Sequence, residues 1–198
     1  MNKTLKWIAI LAGWGVLATA SGCSPMYRAM GYPPNPMRTA PPPGVLGGAL
    51  AVGARLPAAT LSDDAGKPFA LADRTTDKAW VLVFYRGHWC PYCRAQLSEM
   101  QSLLADFTKA GVGVAAIAGE GAEDSAPLRQ KLGLTLDLWT DQELALTKAM
   151  GIADTENAVP WPAVFVVDKG GVVRWRWVAE TYKVRPSAKD VLAQVPRP

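Results

Sequence analysis

Seven uncharged residues, Ala79-Trp80-Val81-Leu82-Val83-Phe84-Tyr85, lead through four residues into Cys90-Pro91-Tyr92-Cys93. The run is rich in Val, Leu and aromatic side chains, as in a strand buried on both faces of a sheet. Proline is best accommodated in the first turn of a helix, so Pro91 marks a helix start. Leu97, Met100, Leu103, Leu104 and Phe107 follow at helical spacing, and Gly111 closes the segment. One helix is therefore expected over Pro91–Ala110. A buried strand covered by the helix that follows it requires further strands beside it, and this limits the fold to a layered α/β arrangement.

The remaining apolar runs supply those strands. A hairpin is expected over Ala58–Leu71, turning at Asp63-Asp64-Ala65-Gly66. A second buried strand is Val112–Ala118. Next come a helix over Ser125–Leu132, an extended piece at Thr135–Trp139 and a helix over Gln142–Met150. Ala163–Val167 is a third strand, and Asp168-Lys169-Gly170-Gly171 turns it into a fourth at Val172–Val178. Ser187–Gln194 is a last helix with Ser187 as its N-cap. Strands alternating with helices predict an α/β fold with a central mixed sheet, in one domain over residues 54–198. No internal repeat is visible.

Residues 1–53 read differently. Lys3 and Lys6 precede an apolar stretch, Trp7–Ala20. At about 1.5 Å per residue such a helix falls short of a roughly 30 Å hydrocarbon core. Residues 1–22 therefore read as a secretory signal peptide. Residues 24–44 carry seven prolines, a density that excludes helix and ladder hydrogen bonding. Together with a glycine-rich hinge at Gly44–Gly53, they predict a tether over residues 23–53. The end of the leader, Ala20-Ser21-Gly22-Cys23, resembles the lipobox of bacterial lipoproteins. That resemblance implies lipidation of Cys23 and a membrane anchor in the cell envelope, facing the periplasm or the cell exterior. Ser24 then points to the outer membrane where the organism has one. Ordinary cleavage after Ala20, leaving Cys23 a free thiol, fits the same residues.

Composition removes several function classes. The net charge of +4 is too weak to argue for nucleic acid. One histidine and three cysteines exclude a multi-histidine metal site, a disulfide framework and a four-cysteine zinc site. Haem attachment needs a histidine after the second cysteine, where Arg94 stands. No metal and no cofactor are expected.

What remains is the cysteine pair. The first turn of a helix presents unpaired N–H groups and a partial positive charge, and both favour thiolate over thiol. Lowering a thiol pKa from about 8.5 to about 7 raises the reactive fraction from a few per cent to half. Cys93 lies one turn beyond Cys90, close enough to displace a mixed disulfide formed there and close an intramolecular one. Cys90 is expected to attack and Cys93 to resolve. Arg86 and His88 are the candidates for tuning the thiol pKa. A structural disulfide and a redox-idle binding module are the competing readings. For the module, Trp175 and Trp177, with Trp161, would form an exposed aromatic patch.

These segments resemble thioredoxin-fold redoxins, specifically the AhpC/TSA (alkyl hydroperoxide reductase/thiol-specific antioxidant) family. Val52–Pro57 with Ala59–Leu61 is similar to the family's opening hairpin. Leu132-Gly133-Leu134 with Asp137–Asp141 is similar to its segment before the last core strands. Pro162–Gly171 looks like the cis-proline strand and its turn. The resemblance implies a thioredoxin-like fold with a redoxin-type insertion. It also implies that Pro162 follows a cis bond and that Trp161 faces the cysteines and a substrate. In that register peroxiredoxins carry Thr at position 90 and an Arg at 162, where this chain has Cys90 and Pro162. The substitutions favour dithiol–disulfide exchange with protein or small-molecule disulfides and thiols, through a redox donor the sequence does not name. Reduction of peroxides is the alternative.

Overall fold

The computed structural model describes residues 38–196. The expected leader, Cys23 and the proline-rich stretch up to residue 37 lie outside the described residues. The elements in chain order are α1 (Val45–Gly48), β1 (Thr60–Asp63), β2 (Pro68–Ala70), α2 (Leu71–Thr75) and β3 (Ala79–Phe84). α3 (Pro91–Ser102), α4 (Leu104–Lys109), β4 (Val112–Ala118), α5 (Ala122–Leu132) and β5 (Asp137–Thr140) follow. The chain ends with α6 (Ala145–Ala149), β6 (Ala153–Asp154), β7 (Val159–Pro160), β8 (Ala163–Val167), β9 (Val173–Val178) and α7 (Ala188–Leu192).

Seven strands form one mixed sheet in the order β2-β1-β5-β4-β3-β8-β9. β3, β4 and β5 run parallel, whereas β8 and β1 lie antiparallel to their inner neighbours. Side chains alternate across β3. Val81, Val83 and Tyr85 enter the core that contains both cysteines, and Trp80, Leu82 and Phe84 enter the core on the other face. Each aliphatic side chain so buried contributes on the order of 1.5–3 kcal/mol. The doubly buried middle of the sheet thus fixes where β3 ends and the cysteine loop begins.

Of the boundaries that differ from expectation, three have a clear local reason. The helix expected over Pro91–Ala110 is two helices broken at Leu103, which has φ −106° and ψ 10°. Ser102 Oγ donates to the Glu99 carbonyl at 2.7 Å, the acceptor that the Leu103 N–H would use in a continuous helix. α6 begins at Ala145, not Gln142, because Leu144 takes a left-handed conformation and Asp141 caps the helix from outside. The Asp141 carboxylate accepts from the Leu146 N–H (3.2 Å), the Thr147 N–H (2.8 Å) and Thr147 Oγ1 (2.7 Å). α5 starts at Ala122, where Gly121 serves as N-cap and Glu123 and Asp124 suit the positive helix start.

The described part of the expected tether is folded. Gly44–Gly53 is not a free hinge: it contains α1, and Val45 and Ala49 are buried in the core opposite the cysteines. The Leu50 N–H donates to Met150 O at 2.9 Å, and the Gly53 N–H to Val173 O at 2.8 Å. Arg176 Nη1 donates to the carbonyls of Ala49 and Leu50. A Cβ at Gly151, φ +69°, would come within 2.2 Å of Gly48 O, so a glycine there is what lets α1 dock. Valine, alanine and leucine spaced among the glycines gave this segment enough apolar surface to bury.

Candidate active site

β3 delivers the chain to a tight loop. Cys90 forms the N-cap of α3, with φ −81° and ψ 114°, and Pro91 occupies the first turn. The Cys90 N–H donates to Gly87 O at 3.1 Å, and the Arg94 N–H donates to Cys90 O at 3.0 Å. Both cysteines are free thiols, with Cys90 1% exposed and Cys93 fully buried.

The positive charge on the pair comes from an unexpected element. Arg185, in the connection between β9 and α7, donates from Nη2 to Cys93 Sγ at 3.2 Å. Its Nη1 donates to the carbonyls of Tyr182 (2.7 Å) and Val184 (2.6 Å), so its own loop fixes the guanidinium. Burial pushes the Cys93 thiol up. The hydrogen bond from Cys90, the Arg185 charge and the Arg86 backbone N–H outweigh burial and bring it down to about 6. The Cys90 thiol is pushed up by its hydrogen bond to Cys93, by burial and by the Cys93 charge. Of the two, Cys93 is the thiol more readily ionised, because Arg185 Nη2 is bonded to its sulfur. This reverses the polarity expected from position at the helix start, because a charged hydrogen bond outweighs the partial charge of a helix end.

Of the two expected tuning residues, Arg86 acts on Cys93 through its backbone N–H, whereas His88 is held away by Glu120. Arg86 is fully buried, and its guanidinium lies over the Trp89 ring (4.8 Å) and the Tyr182 ring (5.0 Å). Burial lowers its pKa against the charges of Cys90, Cys93 and Asp154. His88 is engaged by Glu120: its backbone N–H donates to Oε2 at 2.7 Å and its Nδ1 lies 2.8 Å from Oε1. Asp124 lies 3.6 Å from the same nitrogen. Among the described residues, His88, Glu120 and Asp124 bring together donor atoms of the kind that hold metals. The two His88–Glu120 hydrogen bonds, with Asp124 beside them, account for the arrangement as a clamp on the loop. Glu120 is raised to about 7 by burial, against the His88 hydrogen bonds and charge. The clamp needs Gly87, since a Cβ there would stand 2.5 Å from Glu120 Oε1.

Trp161 and Pro162 depart from expectation. No described peptide bond is cis, so Pro162 follows a trans bond. Pro162 does lie at the cysteine end of the sheet, because its neighbour Ala163 pairs with Phe84. Trp161 is wholly buried in the core opposite the cysteines. Its indole N–H donates to Ala179 O and its backbone N–H to Ile152 O, both at 2.7 Å. With both donors satisfied inside, the ring has no cause to face a substrate. Trp175 packs against the cysteine-side core and Trp177 against both cores, each half-buried, and Trp161 is wholly buried, so the three tryptophans do not form one exposed patch.

Arg185, Tyr182 and Glu120 were not foreseen. Glu120 was open to detection: it follows the carboxyl end of the strand beside β3, where sites of open α/β sheets gather. Arg185 and Tyr182 had no such signal.

A family model described as the AhpC/TSA family matches residues 52–176. Among curated relatives, peroxiredoxin Q of wheat (Triticum aestivum), a chloroplast protein, is 30% identical over 143 residues, 72% of this chain and 65% of its own length. The peroxiredoxin Q of Suaeda salsa is 32% identical over 62% of this chain and 57% of its own length. The chain thus spans less than two thirds of either plant protein. Thiol-disulfide oxidoreductase ResA of Geobacillus thermodenitrificans is 31% identical over 64% of this chain and 68% of its own length. A crystal structure of a putative thioredoxin reductase from Burkholderia cenocepacia has the same fold, with a TM-score of 0.68 at 21% identity over 75% of this chain and 99% of that one. Peroxidoxin BcpB of Mycobacterium tuberculosis superposes with a TM-score of 0.66 at 19% identity, over 73% and 96%.

Proposed function

The chain belongs to the AhpC/TSA family, and from that premise we propose that it is a thiol oxidoreductase cycling Cys90 and Cys93 between dithiol and disulfide. The observation that carries this reading is the pair itself: two thiols one helical turn apart, with Arg185 3.2 Å from Cys93 Sγ. In exchange with a disulfide, the Cys93 thiolate bonds to one substrate sulfur and the other sulfur leaves as a thiolate, which takes up a proton. Cys90 then gives up its proton and attacks Cys93, releasing the second substrate thiol. The protein gains a disulfide and the substrate is reduced to two thiols.

Peroxide reduction is the second reading, and the same arginine favours it. Attack of the Cys93 thiolate on a peroxide oxygen breaks the O–O bond and expels hydroxide, which a guanidinium at that sulfur stabilises. The resulting sulfenic acid condenses with the Cys90 thiol, releasing water and closing the same disulfide. Reduced protein titrated in a glutathione redox buffer, and separately with hydrogen peroxide, distinguishes the two. Equilibration with glutathione and slow oxidation by peroxide support exchange. Rapid oxidation by peroxide that Cys93→Ser abolishes makes the protein a peroxidase.

We also propose that Cys23 carries a lipid and that the protein works at the envelope membrane. The support is the leader's charge-then-apolar order and its Ser-Gly-Cys end. Incorporation of labelled fatty acid into the full chain, lost in Cys23→Ala, is the expected result.

A further inference from the structure

Three segments meet beside the cysteine loop with donor atoms close to one point. His88 stands in the loop after β3, Glu120 in the loop after β4, and Asp124 in the first turn of α5. Because β3 and β4 are parallel neighbours, their carboxyl ends open side by side. His88 Nδ1 lies 2.8 Å from Glu120 Oε1 and 3.6 Å from Asp124 Oδ1. Donor atoms of all three residues lie within 4.8 Å of one another. The clamp explains Glu120, which holds His88 by two hydrogen bonds, but it does not explain Asp124. At 3.6 Å Asp124 is beyond hydrogen-bond length from the imidazole, and it brings a second carboxylate up to Glu120. A helix start favours an acid at this position without requiring it to turn toward another acid. Glu120 and Asp124 also line a cavity of about 390 Å³, with Glu123, Gln142 and Asn157 on its wall.

We propose that His88 Nδ1 and the carboxylates of Glu120 and Asp124 bind a divalent first-row metal ion of the zinc class. Neither cysteine belongs to this donor set, which is independent of their redox reading. Donor atoms about 2.0–2.2 Å from a tetrahedral zinc ion stand roughly 3.3–3.6 Å from one another. The separations of 2.8 and 3.6 Å bracket that spacing, so small side-chain shifts admit an ion. With both carboxylates ionised the trio stays net negative even when the imidazole is protonated, and a divalent ion on the neutral imidazole balances it. The imidazole binds with Nδ1 unprotonated and its ring proton on Nε2. An imidazole nitrogen beside carboxylate oxygens suits zinc, whereas magnesium and calcium call for oxygen alone. Three protein ligands leave a further position to water, which the cavity accommodates. His88 is 36% and Asp124 41% exposed, so ions reach the site from solvent. The bound ion ties the loop before Cys90 to the first turn of α5, whereas the two hydrogen bonds tie it to Glu120 alone.

His88 is the only histidine of the chain, so its imidazole proton resonances report on this site alone. Zinc chloride titrated into the full chain is expected to shift them, with saturation at one equivalent, and excess magnesium is expected to leave the shift in place. In Asp124→Asn, which keeps the side-chain shape and the His88–Glu120 hydrogen bonds, zinc affinity is expected to fall at least about tenfold. Resonances that stay unmoved, whether zinc goes to the cysteine thiols or nowhere, overturn the proposal. A shift that never saturates, the mark of adventitious contact with an exposed imidazole, overturns it too. So do reversal by magnesium and unchanged affinity in Asp124→Asn. The wild-type titration needs no variant, so a variant that fails to fold leaves the proposal open to refutation.

Discussion

Cys93 owes its charge to neighbours from two parts of the chain: Cys90 and the Arg86 N–H before it in sequence, and Arg185 far after it. Thiolate absorbance of the reduced protein is expected to rise around pH 6, well below an ordinary cysteine. In Arg185→Gln that step moves up in pH. A depressed thiol pKa stabilises the dithiol form, so losing the arginine also makes the couple more reducing, by about 30 mV for each pKa unit lost. Equilibration with glutathione measures this potential. The linked stability has a definite sign. A thiol at about 6 in the folded dithiol, against 9.0 when unperturbed, adds stability that is fully present above pH 9 and lost as pH falls through 6. Thermal unfolding of the reduced protein across that window is expected to follow this slope, and the disulfide form to lack it.

At the level of elements, two caps differ in consequence. Ser187 Oγ accepts from the Asp190 N–H at 3.1 Å at an exposed helix end, as expected from sequence. Ser187→Ala should cost about 1 kcal/mol by denaturant unfolding. Asp141 is 3% exposed and satisfies three donors of α6. Asp141→Ala strands those donors in a buried place and should cost more, about 2–4 kcal/mol. Periodicity located both helices, but only Ser187 adjoins its helix in sequence as a cap should. Asp141 caps across a left-handed residue, Leu144, and helical spacing carries no mark of that.

At the level of the molecule, the folded unit reaches back to residues 38–53. A protein beginning at residue 54 lacks the buried Val45 and Ala49 and the backbone bonds to Met150 and Val173. It should lose on the order of 3 kcal/mol, lowering Tm by roughly 10 °C relative to one beginning at residue 38. Differential scanning calorimetry of the two proteins decides it, and equal Tm values would restore a boundary at residue 54. What the sequence determined by itself was local: the buried strand, the proline-marked helix start, the cysteine pair at its first turn and the Ser187 cap. Each follows from side-chain type and spacing within one or two elements, where steric and hydrogen-bonding rules act directly. Tertiary structure alone decided which cysteine ionises more readily and which core takes Trp161. Those depend on Arg185 and Ala179, which the chain brings to β3 and α3 only after the sheet has closed. Through-space charge and packing leave no trace in residue spacing.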